Sequence, residues 1–165
     1  MRKRKASGSR RGAKRTLRGR KPPHAAARLR IGLEATIERI VEHQYTIQAF
    51  DPNLPAVFST PAMIGWMEHA SVLAVRPHLP AGVITVGTRV EVDHLKAVAP
   101  GATVQAYARF VKHKGRFLVF DVEARSGEEV IGRGRVFRAM VDPQKHGAKA
   151  QARIHEQSPA LTSSP

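Results

Sequence analysis

The chain has no cysteine among its 165 residues, which excludes disulfides, thiolate metal ligands and a cysteine nucleophile. No apolar run approaches the ~20 residues that a membrane-crossing helix needs, so a soluble protein with no membrane partner is expected. The lack of cysteine also suits a reducing, cytoplasmic setting. No G-x-S-x-G, Gly-rich phosphate loop or H-E-x-x-H occurs, and the eight histidines show no metal-ligand spacing, so neither a metal nor another cofactor is expected. Acids are missing from residues 1–30, which hold 13 of the 28 Lys and Arg. The net charge of +15 therefore belongs to that segment, and the remainder is nearly neutral, with 15 cations against 13 acids.

The residues present divide the chain into three parts. Residues 1–30 are dense in like charge and poor in apolar side chains, so ordering them has little to offset its entropy cost, and a disordered basic tail is expected. A solvated tail is the favoured reading, with a nucleic-acid-binding arm, an Arg-rich organellar targeting segment and an extension from a misassigned start codon as alternatives. Residues 31–142 carry the apolar patterning of a single domain, and residues 143–165, polar and ending Ser/Pro-rich, read as a flexible C-terminal tail.

The domain is organised around Phe58-Ser59-Thr60-Pro61-Ala62-Met63-Ile64-Gly65-Trp66-Met67-Glu68-His69-Ala70 and its continuation to Val75. Thr60 has the chemistry of a helix cap, Pro61 suits a first-turn position, and Pro77 followed by Leu79-Pro80-Ala81-Gly82 ends the run. Apolar residues lie on nearly every side of this helix, so burial is expected, with one acid, Glu68, in its middle. Upstream, Leu33 to Ile47 alternates and then shifts phase at Ile40-Val41, which suits a bulged strand or a short helix, the strand being favoured. Asp51-Pro52-Asn53-Leu54-Pro55 is an irregular loop. Downstream, Val83–Val98, Thr103–Val111, Arg116–Ala124 and Val130–Val141 alternate and are joined by short turns, which predicts a four-stranded antiparallel meander. The expected class is α+β, an antiparallel sheet wrapped around a long central helix.

Three polar residues interrupt apolar rows around one core: Glu68 on the helix, and His94 and Arg138 on strand faces. Each has an ordinary structural explanation. Glu68 fits a partial solvent stripe, His94 a core or subunit-contact histidine, and Arg138 an ion pair at the core edge. Together, with Thr60 at the helix start, they mark where the chemistry is expected. The basic cluster Arg109, Lys112, Lys114 and Arg116 around a hairpin is either a solvated turn or a contact for the phosphates of a nucleotide-bearing substrate.

The motifs Phe58-Ser59-Thr60-Pro61-x-Met63-Ile64-x-x-Met67-Glu68, Gly87-Thr88, Val92-x-His94-Leu95 and Ile131-Gly132-x-Gly134 with Arg138-Ala139 resemble the hotdog-fold thioesterases related to fluoroacetyl-CoA thioesterase. The resemblance runs from about Leu33 to Val141. It implies a hotdog fold, a homodimer with sheets joined side by side, and hydrolysis of an acyl-CoA substrate near the subunit boundary. It further implies Thr60, Glu68 and His94 as catalytic residues, with Gly87 and Arg138 as substrate-binding residues. Asp51 and Leu54 stand where the fluoroacetate-specific member has phenylalanines, so selectivity for a fluorinated acyl group does not carry over. Competing readings are a non-catalytic acyl-CoA-binding hotdog protein, a dehydratase of the same fold, and nucleic-acid association through the basic tail.

Overall fold

The structure is a computed structural model that describes residues 29–157; the basic segment and the last residues of the chain lie outside the described part. The chain forms β1 (Glu34–Ile40), two 3-10 turns (His43–Tyr45 and Ile47–Ala49), helix α1 (Thr60–Val75), a further 3-10 turn (Arg76–His78), then β2 (Ile84–His94), β3 (Thr103–Lys114), β4 (Phe117–Ser126), β5 (Glu129–Val141) and helix α2 (Pro143–Gln157). The five strands make one sheet in the order β1-β3-β4-β5-β2, antiparallel at every neighbouring pair.

Several details differ from the sequence reading. The meander has three strands, β3 to β5, because β2 pairs with β5 at the far edge instead of with β3. The Leu95–Ala102 segment crosses the end of the sheet between them, passing the helix start, where Val98 O accepts from Phe58 N at 2.8 Å. The phase shift at Ile40-Val41 marks the end of β1 rather than a bulge, since a 3-10 turn follows it. The segment expected as a loose C-terminal tail is helical over Pro143–Gln157, started by Asp142, whose Oδ1 accepts from the amides of Gln144 (3.0 Å) and Lys145 (3.2 Å).

A bulge at Thr88 matters most for the site. Gly87 lies opposite Arg138 and Arg89 opposite Phe137, so one extra residue breaks the alternation inferred for this strand. Thr85 and Gly87 consequently share the helix-facing side with Val90, Val92 and His94. Without the bulge, that side would carry Val86 and Thr88 instead.

The core lies between α1 and the sheet. Met63, Met67 and Ala70 on the helix pack on Val104, Ala106, Ala108 and Phe110 of β3 and on Leu118, Phe120 and Val122 of β4, all essentially inaccessible. Each of the Val, Leu, Phe and Met side chains among them contributes about 1.5–3 kcal/mol on burial. Gly132 lets the helix approach, since a Cβ there would sit 2.5 Å from Met63 Sδ. The helix is not enclosed on every side within one chain, contrary to the expectation from its composition. Ile64, Glu68 and Val72, at one-turn spacing, stay half-buried, and Gly65 and His69 are exposed.

The outer face of the sheet is charged and ordered in rows. One row across the strands reads Glu34, Arg109, Asp121, Arg135, Glu91, so each charge has opposite neighbours. The row below it reads Thr36, Tyr107, Glu123, Arg133, Asp93.

Candidate active site

The start of α1 is held by backbone bonds. Ser59 N donates to Tyr45 O at 2.8 Å, and Phe58 packs on Trp66 with ring centroids 4.7 Å apart. Ser59, not Thr60, caps the helix: its Oγ accepts from Ala62 N at 3.3 Å and its carbonyl from Met63 N at 3.0 Å. Capping by Ser59 leaves the Thr60 hydroxyl available. It lies 2.8 Å from His94 Nδ1, at the inner end of β2. His94 Nε2 is buried without a protein hydrogen-bond partner among the described residues. Thr60 and His94 border a cleft of about 300 Å³ whose other walls are Ile47, Val57, Phe58 and the Leu95-Lys96-Ala97 segment. Pro61 has no N–H and the next two amides are engaged by Ser59. The several free helix-start donors that the sequence offered for an oxyanion therefore reduce to the Thr60 amide.

Glu68 belongs to a second cluster. Its Oε1 accepts from Arg138 Nη1 at 3.0 Å. Arg138 is held from the other side by Thr85, with Nε donating to Thr85 Oγ1 and Nη2 to Thr85 O, both at 3.0 Å. The Arg138 side chain is 7% exposed and that of Glu68 33%, so the carboxylate reaches out from beside a buried cation. Burial pulls the Arg138 guanidinium below its usual range, and the Glu68 carboxylate pushes it partly back. Gly87 completes the cluster. A Cβ at that position would stand 2.3 Å from Glu68 Oε1, so only glycine leaves room for the carboxylate as placed.

All five residues singled out in the sequence thus line the helix–β2 boundary, but within one chain they form two half-sites. Glu68 meets Arg138 and Gly87; His94 meets Thr60. The expectation that Glu68 and His94 converge in one crevice is not met inside a single chain. Thr60 and Glu68 are eight residues apart on one straight helix, about 12 Å along its axis. Thr85 was missed because its inward position depends on the Thr88 bulge, for which a Gly-Thr step inside a strand was the available signal. Among the described residues no group of His, Asp and Glu is arranged to hold a metal ion, and no helix is long and apolar enough to cross a membrane.

The model of the fluoroacetyl-CoA-specific thioesterase family matches residues 41–144, a span that contains both half-sites. The chain belongs to this family. The fluoroacetyl-CoA thioesterase of Streptantibioticus cattleyicolor is 33% identical over 138 residues, covering 80% of this chain and 96% of that protein. A crystal structure of the fluoroacetyl-CoA thioesterase superposes with a TM-score of 0.71 at 33% identity, over 79% of this chain and 98% of that one. A thioesterase-superfamily member from Thermus thermophilus is as close in fold, with a TM-score of 0.71 at 29% identity over 78% of this chain and 94% of that one. A hot-dog-like protein from Thermanaerovibrio acidaminovorans, 22% identical with a TM-score of 0.69 over 74% of this chain and 91% of that one, shares the hotdog fold. The helix cradled by a five-stranded antiparallel sheet is therefore the hotdog arrangement of the fluoroacetyl-CoA-specific thioesterase family.

Proposed function

We propose that the protein is an acyl-CoA thioesterase that hydrolyses a small acyl thioester to the free acid and thiol, in a site assembled from two copies of the chain. Membership of the fluoroacetyl-CoA-specific thioesterase family supports the reaction class. A relative has been crystallised with acetyl-CoA, which supports a CoA-borne substrate. The observation that carries the assembly is that Gly87 and His94 lie on the same edge strand, β2, whose outer side pairs with no other strand among the described residues.

An antiparallel pairing of β2 with a second β2 about a two-fold axis at Glu91 has a defined register. It sets Val90 against the partner's Val92 on the helix-facing side and Arg89 against the partner's Asp93 on the outer side. Both are favourable cross-strand pairs. The same register brings the partner's His94 opposite the Gly87–Thr88 bulge, beside Glu68. It also lays the second sheet along the half-buried Ile64, Glu68 and Val72 stripe. Each site then contains Glu68, Gly87 and Arg138 of one subunit with Thr60 and His94 of the other.

In such a site Arg138 anchors Glu68 through Oε1, leaving Oε2 for a water. Glu68 takes a proton from that water as its oxygen adds to the thioester carbonyl, and the tetrahedral intermediate collapses by breaking the C–S bond. His94 delivers a proton from Nε2 to the departing thiolate, its ring oriented by Thr60 at Nδ1. Gly87 allows the carbonyl to lie against the backbone of β2. The loop residues Asp51 and Leu54 are both exposed and leave the acyl end less enclosed than aromatic side chains would.

The test is release of free thiol from a panel of short acyl-CoAs, with acetyl-CoA and fluoroacetyl-CoA included. Hydrolysis of a short acyl-CoA is expected, without preference for the fluorinated one. Glu68→Gln lowers kcat by at least ~100-fold, the scale of acid–base loss. CoA binding with no hydrolysis of any member of the panel would instead make the protein an acyl-CoA binder. Near-normal turnover in folded Glu68→Gln protein would remove Glu68 from the mechanism.

A further inference from the structure

Charge is distributed unevenly along the strand direction. The end of the sheet at the β4–β5 turn carries Glu123, Glu128 and Glu129, where Arg125 pairs with Glu123 and Lys96 with Glu129. The opposite end, at the Lys114-Gly115-Arg116 turn, has one acid among the described residues, Asp142. Asp142 is already engaged, through Oδ1 as the cap of α2 and through Oδ2 with Lys145 Nζ at 3.3 Å. Asp142 itself, Arg116 from the turn and Lys145, His146 and Lys149 from α2 line a notch of about 180 Å³ floored by the buried Met140 and Val141. Two segments far apart in sequence thus aim their cations at one concavity. Arg116 and Lys149 have no carboxylate partner among the described residues.

We propose that this notch receives a phosphate group of the CoA moiety, holding the nucleotide end of the substrate while the thioester lies at Glu68. The proposal rests on the acyl-CoA reading of the Glu68 site and extends it to a second contact region. Its position fits. Met140 N donates to Arg116 O at 2.9 Å, and Met140 lies opposite Thr85, so Thr85, Met140 and Arg116 form the row immediately next to Gly87, Arg138 and Leu118. From Gly87 the notch is about 7 Å along the strands and about 10 Å across them, a span that an extended pantetheine arm covers. A phosphate between Arg116 and the α2 lysines gains charge-assisted hydrogen bonds, and the one carboxylate lining the notch, Asp142, is already occupied by Lys145 Nζ and the first amides of α2.

The experiment compares wild-type protein with Lys145→Ala/Lys149→Ala, both confirmed folded by thermal melting, using three probes. These are acetyl-CoA, the acetyl thioester of pantetheine, which has no phosphate, and 3′,5′-ADP, which has no thioester. The double variant is expected to raise KM for acetyl-CoA by about tenfold with kcat unchanged, as loss of two exposed charge pairs allows. It leaves the pantetheine thioester unaffected and weakens 3′,5′-ADP binding measured by calorimetry. Equal 3′,5′-ADP binding by both proteins, or a KM that rises equally for both thioesters, would overturn the phosphate site. Should wild-type protein hydrolyse neither thioester, the Glu68 reading fails, and the 3′,5′-ADP titration still decides on the notch.

Discussion

A composite site makes a quantitative prediction for mixed subunits. In the proposed site Glu68→Gln and His94→Ala each remove one member of the acid–base pair, and each alone is expected to lower kcat by at least ~100-fold. Within one chain the two residues belong to separate clusters about 12 Å apart by the helix rise. At that distance in water a carboxylate and an imidazolium interact by only about 0.3 kcal/mol, against about 1 kcal/mol at contact. If they act together they do so across the β2–β2 seam. A dimer of one Glu68→Gln and one His94→Ala subunit then contains one site with both changes and one with neither. Equal mixing with free subunit exchange gives half mixed dimers, so about one quarter of wild-type turnover returns, from two preparations each nearly inactive. Purified mixed dimers, selected with two affinity tags, reach about one half. The assay is thiol release at saturating acetyl-CoA before and after exchange. A mixture that stays at the average of the two parents would refute the shared site.

Four further outcomes follow from the geometry. Gly87→Ala forces the Glu68 carboxylate off its place beside Arg138, and kcat falls at least tenfold with a small change in Tm, the reverse of what a purely structural glycine gives. Ser59→Ala removes the cap of α1 and costs about 1 kcal/mol by chemical denaturation, whereas Thr60→Val lowers kcat with little effect on stability, because its hydroxyl serves His94. If the proposed β2–β2 pairing forms, Val90→Asp places a charge in its seam, and sedimentation is expected to show a dimer for wild-type protein and a monomer for the variant, with activity lost in parallel. Asp142 is held below the ordinary carboxylate range chiefly by the Lys145 backbone amide. Its support of α2 is fully present above that range and is lost as pH falls through the lower folded value, a change in helicity by circular dichroism that Asp142→Ala abolishes.

Much of this molecule was legible from residue patterns, for reasons tied to particular elements. The run from Thr60 to Val75 announced a helix because a β-hydroxyl residue and proline open it, and a proline-rich turn closes it. The strands from Thr103 onward alternate cleanly because one side meets the helix and the other meets water. Glu68, His94 and Arg138 stood out as polar interruptions of apolar rows, and each does face the helix–sheet boundary. Partnerships were not legible. Which cation meets Glu68 depends on position along the sheet: Arg138 lies opposite Gly87 beside Glu68, whereas His94 lies seven residues further along β2 at Thr60. The Thr88 bulge, which alternation cannot report, turns Thr85 and Gly87 inward to complete the Arg138 cluster. Placement of β2 beside β5 depends on a long-range pairing to which local pattern is blind. Ser59 and Thr60 are both good caps, and only the tertiary bond to Tyr45 O decides between them. The helical start of the C-terminal segment was overlooked because polar composition hid an Asp142-Pro143 opening.

The rows of alternating charge on the outer face of the sheet have a consequence at long range. Each cation there is flanked by anions roughly 5 Å away on neighbouring strands, so the fields cancel within about one Debye length, some 8 Å in physiological salt. An approaching multivalent anion feels almost nothing from that broad surface, and the cationic pole at the Arg116 end is left to set its course. Within the described domain, the salt dependence of encounter should accordingly come from that pole and not from the striped face, in addition to whatever the 13 cations of residues 1–30 contribute.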